Sequence, residues 1–512
     1  MAKQTFIKGA IILIIAGMIS RLLGFVNRIV LARLLGEEGI GIYMLALPAF
    51  FLMITLSQIG IPVAVSKLIA EANVQGDRER IRKILFISFS ITITLSIFLT
   101  AAFILFIPYI ATHLILDERT LIPMLLISPI IPVTAVSAVL RGYFQGMQNM
   151  KPQASAQVIE QFVRIILVFV FVKLMIPFGI SYAAGGAMIA VVIGEVVSVL
   201  YIYYCFKIDV NKPKKIFSRT LKHLRKTFSD IMQIALPTAG TRLIGSVTYF
   251  LEPILVSQSL VIAGYTISQS TTLYGQLTGY VLPLLLLPTF ITYSLSVALV
   301  PSISEYNALN HQKSVHYRIR QALRLAFASG GIVTVIFMLF SDPILKIVYG
   351  NINGASFLTF MAPFFLLLYF QAPLQAALQA LDLAKQAMYN SFIGSIVKLG
   401  TLWMLATRPS FGIDGVVISI LVGIVVVTSL HFITLYRMIN FKLPMSLLLR
   451  MIGLIVIIYY VGKMISEKFI IDFTILNLLS TIIFLFIIYL IGLLIFKIVT
   501  KEEWDQLRRR NY

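Results

Sequence analysis

Mainly apolar runs, each long enough to cross a bilayer and separated by short polar loops, follow one another along this whole chain. A spanning helix needs roughly 20 such residues. The runs fall near 7–34, 41–70, 84–111, 120–146, 153–176, 182–206, 229–260, 270–304, 321–341, 357–381, 386–406, 413–436, 446–465 and 474–498. This predicts an all-α, polytopic membrane protein of about 14 transmembrane helices with almost no soluble domain. Strand-like alternation is absent, which argues against an outer-membrane barrel. Only 12% of the residues are charged, about half of what a water-soluble domain carries.

The formal charge of +21 would suggest a nucleic-acid partner in a soluble protein. Here the basic residues sit in alternate loops, which is the positive-inside pattern, and no nucleic-acid partner is expected. The loops assigned inside carry Arg78, Arg80, Arg82 and Lys83, then the 207–228 segment, Lys313, Arg318 and Arg320, Arg437 and Lys442, and Arg508 to Arg510. Those assigned outside carry only Arg119, Lys346, Arg408 and Lys468. A multi-pass protein of the cytoplasmic membrane with both termini cytoplasmic follows. The N-terminal Lys3 and Lys8 before an apolar run read as the start of a retained first helix, because no small-x-small cleavage site follows. Segment 207–228 reads as a topology determinant, or as a surface helix on anionic membrane lipids through Ile216, Leu221 and Leu224. Scattered histidines and the lone Cys205 offer no metal-ligand spacing, and no catalytic constellation stands out. No metal, no cofactor and no enzyme activity are expected.

The sequence also repeats itself. Gln145 and Gln379, Lys151 and Lys385, Arg164 and Lys398, and Glu71 and Glu305 each stand 234 residues apart. Ser20-Arg-Leu-Leu-Gly24 likewise matches Thr241-Arg-Leu-Ile-Gly245, with a longer connection after the seventh helix. The expected organisation is an N-lobe of six helices (1–206), a basic linker (207–228), a C-lobe of six helices (229–437), and two C-terminal helices with a tail (438–512). Parallel repeats of this kind place a substrate cavity between lobes that rock to expose it to alternate sides.

An ionisable side chain inside a spanning helix costs a few kcal/mol or more, so it faces a cavity or a partner. Arg21 and Arg28 lie in the first helix, Arg242 and Glu252 in the seventh, and Glu195 in the sixth. Glu160 and Arg164 are four residues apart on the fifth helix, flanked by Gln157 and Gln161, so they read as an ion pair or as part of a site. Arg21 and Arg242 occupy mirrored positions of the repeat. Their planar forks suit phosphate oxygens, and with Arg28 and Arg164 they form the expected anion-binding set. Arg141, Glu71 and Glu305 lie near cytoplasmic helix ends, where snorkelling or gate closure explains them equally well. Gly60 and Pro62, with Pro283, Pro288 and Pro301, are expected bending points. Glu37-Glu38 and Asp117-Glu118 read as solvated turns.

Ile19-Ser-Arg-Leu-Leu-Gly-Phe-Val-Asn-Arg28, Leu35-Gly-Glu-Glu-Gly-Ile-Gly41 and the Arg141–Lys151 segment together resemble the polysaccharide-transporter branch of the multidrug/oligosaccharidyl-lipid/polysaccharide exporter superfamily. The resemblance implies fourteen helices and a flippase for an undecaprenyl-pyrophosphate-linked saccharide of the lipid II type. Through the sporulation proteins of that branch it implies a role in spore cortex peptidoglycan, with membrane lipids and cell-wall polymerases as partners. It carries Arg21 over directly. The second arginine of the flippase motif falls one residue later here, at Arg28, with Asn27 in its usual place, and Gln276 replaces an eighth-helix arginine. Two other readings stand beside it: a cation-coupled multidrug exporter, which would want an acidic cavity, and a non-transporting scaffold for cell-wall enzymes.

Overall fold

The computed structural model describes residues 6–210, 212, 224–469 and 475–499. Most of the basic 207–228 segment and the C-terminal tail therefore lie outside the described residues. The described residues fold as helices joined by short turns, with no strand among them.

The chain divides into two compact units, Met1–Gly275 and Gln276–Tyr512. The first contains α1 (Phe6–Gln58), α2 (Ile61–Val74), α3 (Arg78–Tyr109), α4 (Leu121–Ile127), α5 (Ile130–Gly146), α6 (Lys151–Met175), α7 (Ile180–Ile208), α8 (Leu224–Ile262) and α9 (Ile267–Gly275). The second contains α10 (Leu282–Leu285), α11 (Thr289–Ala308), α12 (Gln312–Leu339), α13 (Ser341–Tyr349), α14 (Ala355–Ala380), α15 (Ala384–Ala406), α16 (Ile413–Ile439), α17 (Met445–Phe469) and α18 (Ile475–Ile495).

Ten helices among the described residues are long and apolar enough to cross a membrane, or twelve if each of two bent pairs is one span. One of the ten is the 60-residue stretch Ile15–Val74, roughly three times the length a single crossing needs. It is interrupted at Gly36, where φ is 67° and the backbone leaves the helix, and again at Gly60, where φ is 65°. Splitting it at Gly36, and adding the more polar α15, accounts for the fourteen segments laid out from the sequence. The bent pairs turn by 41° before Ile130 and by 51° before Thr289, where Pro129 and Pro288 remove backbone donors.

In the first unit α8 packs on α1, α2 and α3, and α9 packs on α1. Small residues allow this closeness. A Cβ on Gly41 would sit 2.1 Å from the Thr271 carbonyl oxygen, and one on Gly275 would sit 2.1 Å from that of Glu37. The unit thus includes the seventh span and the start of the eighth. In the second unit α17 and α18 dock on α12. There the buried Tyr489 hydroxyl donates to the Phe327 carbonyl at 2.9 Å.

The two halves share a register. The left-handed residues Gly76 and Asn310, Leu116 and Gly350, and Gln148 and Asp382 each stand 234 apart. So do the helix ends Val74 and Ala308, the starts Arg78 and Gln312, and the ends Gly146 and Ala380.

Candidate functional site

Three helices of the first unit bring four charges together. Glu160 and Arg164 lie one turn apart on α6 and form an ion pair. From α5, the Arg141 guanidinium reaches the Glu195 carboxylate on α7 at 3.1 Å and that of Glu160 at 3.7 Å. It also donates to the Ser198 hydroxyl at 3.4 Å. Glu160 and Glu195 are only 7% and 6% exposed. Gly194 lets the α7 backbone close on this point: a Cβ there would meet the Glu160 carbonyl oxygen at 3.3 Å. Two cations and two carboxylates cancel, which is what makes burial of ionised groups tolerable. Arg141, read from the sequence as a snorkelling or gating residue, is therefore the bridge of an internal quartet.

A second cluster adjoins the first. Gln161 follows Glu160 on α6, and its amide oxygen lies beside Gly24 of α1, at 3.7 Å from where a Cβ would stand. Tyr43, buried in the second half of α1, is within electrostatic reach of both Arg164 and Arg28. Tyr249 on α8 is within reach of Arg28 and Glu252, and Tyr274 on α9 within reach of Glu252. The Tyr249 ring packs edge-on against Phe51 at 5.9 Å, and one turn away Ser246 and Thr55 share a hydrogen bond of 2.7 Å. Arg28 is half-buried, and the buried neighbouring Asn27 has no hydrogen-bond partner for its Oδ1. Arg21 is seven residues before Arg28, hence on the same face of α1, and is exposed. Arg242 is exposed on α8.

Two residues of the expected set stand elsewhere. Glu71 is exposed on α2 and pairs with Arg80 of α3 at 3.5 Å, across the turn between them. Glu305 is exposed near the end of α11, in the second unit. The tyrosines were not singled out from the sequence, because nothing in their spacing sets them apart from other aromatics of the apolar runs.

The acidic turns are not simply solvated. Asp117 is 2% exposed, receives both Nε and Nη2 of Arg119 at 2.8 Å, and accepts from the Thr271 hydroxyl at 2.7 Å. Arg119 also reaches Glu38 at 2.5 Å, and Glu38 accepts from Ser268. Burial alone would raise the Asp117 carboxyl's pKa, but the bonds from Arg119 and Thr271 outweigh it and hold the group below the usual range. The network ties α9 to the α1 kink and the α3–α4 loop. Its signal in the sequence was Arg119 two residues after Asp117, in a region with few positive charges.

Residues 6–307 match the family model described as polysaccharide biosynthesis protein, and residues 277–404 match the one described as MatE. The chain is 48% identical to the stage V sporulation protein B of Bacillus subtilis (strain 168), over 98% of each chain. It is 25% identical to the lipid II flippase MurJ of the same organism, over 78% of this chain and 76% of that one. Among solved structures, a lipid II flippase MurJ in an inward closed conformation shares the fold, with a TM-score of 0.70 at 17% identity over 93% and 97% of the two chains.

Proposed function

The chain belongs to the polysaccharide biosynthesis protein family, and from that premise we propose that it is a flippase for a polyprenyl-pyrophosphate-linked saccharide of the lipid II type. It works by alternating access in the cytoplasmic membrane, with both termini inside, and delivers precursor for spore cortex peptidoglycan. The observation that carries the reading is the pair of membrane-embedded guanidinium groups, Arg28 and Arg164, that both bear on buried Tyr43. A pyrophosphate diester is doubly anionic, and two arginines neutralise it with directed hydrogen bonds. The same face of α1 adds Arg21, α8 adds Arg242, and the tyrosines supply a wall that suits sugar or isoprenoid. The 234-residue recurrence of helix ends and left-handed turns supports two six-helix lobes with two helices appended. The names of the relatives support the substrate and the sporulation role.

The test is transbilayer movement of labelled lipid II in proteoliposomes. Wild type should translocate it, and Arg21→Ala, Arg28→Ala and Arg242→Ala should each slow movement at least tenfold. Variants that flip at the wild-type rate would sink the anionic-cavity mechanism. The MatE match and the buried carboxylates favour a second reading, a cation-coupled exporter. That reading requires ethidium efflux dependent on Glu160 or Glu195.

A further inference from the structure

Glu160 and Glu195 do more than balance two arginines. Their carboxyl groups come from adjacent helices and converge on one nitrogen, Nη2 of Arg141, at 3.7 and 3.1 Å. Two ionised carboxylates so close repel, and one shared proton turns that repulsion into a hydrogen bond. Arginine keeps its proton, so only the carboxyl pair can change the charge of this quartet. The groups around the pair come from every packed helix. α5 contributes Arg141, α6 contributes Arg164 and α7 contributes Ser198. α1, packed on α6 and α7, contributes Arg28, which shares Tyr43 with Arg164, and α4 carries no ionisable residue.

Arg164 is the hinge of this arrangement. One nitrogen is bound to Glu160, while its buried Nε has no hydrogen-bond partner. The same guanidinium bears on the buried Tyr43 of α1. An anion arriving beside Arg28 therefore competes with Glu160 for Arg164.

We propose that the Glu160–Glu195 pair is a proton-binding site whose occupancy is coupled to the substrate's phosphates, so that proton and phosphates are bound and released together. When a pyrophosphate engages Arg164 and Arg28, Glu160 loses its cation and takes up one proton, shared with Glu195. The charges are accounted for at each stage. Before binding, Arg141 and Arg164 balance two carboxylates, and Arg28 adds one positive charge that draws the anion. After binding, Arg141 balances a singly charged pair, and Arg164 with Arg28 balances the doubly charged diester. Departure of the diester returns Arg164 to Glu160 and releases the proton. The proposal rests on the anionic-headgroup reading above.

The test is calorimetric titration of the purified full-length protein with a lipid II analogue bearing a short prenyl chain. It is run in buffers of different ionisation enthalpy and between pH 6 and 8. Wild type should take up about one proton per analogue bound, so that affinity falls as pH rises. The Glu160→Gln/Glu195→Gln double variant keeps the shapes and hydrogen-bonding capacity. Whatever its affinity, its binding enthalpy should not depend on the buffer. Wild-type binding with no proton uptake overturns the coupling and leaves the headgroup reading standing. Equal uptake by the double variant places the proton elsewhere and overturns the assignment. No wild-type binding at all removes the headgroup reading and the coupling with it.

Discussion

The two halves of this chain place their helix breaks at a common spacing and fill their interiors with opposite chemistry. In the first half, α5, α6 and α7 bury an Arg141–Glu195–Glu160–Arg164 network. At the 234-residue offset the second half has Gln375, Ser429, Gly394 and Lys398 in those places. Among the described residues, its fully buried polar side chains include no Asp, Glu, Lys or Arg. Gln371 of α14 donates at 3.0 Å to both the Thr428 hydroxyl and the Ile424 carbonyl, and Asn390 of α15 meets His431 at 3.1 Å and Thr434 at 2.9 Å. Helix ends and left-handed turns respond to backbone geometry, and the same positions serve both halves. Interior charge is costly and needs a reason, and among these equivalent positions only the first half carries a carboxylate. The comparison separates scaffold from chemistry: the shared register is architecture, and the charged interior of one half is where ligand and proton would act.

The largest effect should come from removing the bridge. Arg141→Met leaves two buried carboxylates with one arginine between them, and breaking a buried charge network in this way costs about 3–5 kcal/mol. Gln371→Met in the second half removes neutral hydrogen bonds worth about 1 kcal/mol each. Thermal unfolding of the two variants in one detergent should rank them in that order. Equal losses would mean that the charged interior has no special standing. Next comes binding. Arg28→Ala should weaken the short-chain lipid II analogue roughly tenfold to a hundredfold, the worth of a charge-assisted hydrogen bond of about 1.5–3 kcal/mol. Lys398→Ala, at the counterpart of Arg164, should change binding less than twofold. A comparable loss from Lys398 would erase the functional difference between the halves.

Much of this contrast could be read before any coordinates. Glu71 and Glu305, Gln145 and Gln379, and Lys151 and Lys385 already carry the 234-residue period. Residues four apart on a helix share a face, so Glu160 and Arg164 announced their pairing. The contact between Arg141 and Glu195 did not announce itself. It joins positions 54 residues apart through the packing of three helices, and no local periodicity encodes that. Asp117 was misread for a related reason: in a short acidic turn, only the arrival of Arg119 and of Thr271 from a distant helix decides that the carboxylate is buried. The tyrosines of α1, α8 and α9 carry no sequence mark, because an aromatic in an apolar run looks alike whether it faces lipid, core or cavity.

Asp117 gives the smallest and cleanest version of the comparison. In each half a left-handed residue, Leu116 or Gly350, precedes a side-chain-capped turn. Asp117 accepts from the Arg119 backbone N–H at 3.1 Å, and its counterpart Asn351 accepts from that of Asn353 at 3.1 Å. The turn is shared, and only the charge differs. Asp117→Asn converts the first turn to the chemistry of the second while retaining the cap, so the loss isolates the ionic bonds to Arg119, worth about 1–2 kcal/mol near neutral pH. The sign of the pH dependence follows from the depressed pKa of Asp117. A carboxyl that ionises more readily when folded stabilises the protein above its unfolded value of about 3.9, and that contribution fades as pH falls through the lower folded value. The gap in unfolding temperature between wild type and Asp117→Asn should therefore be full at pH 7 and shrink below about pH 4. A gap that stays constant with pH would mean that the carboxylate's charge contributes nothing, and that the two turns differ only in name.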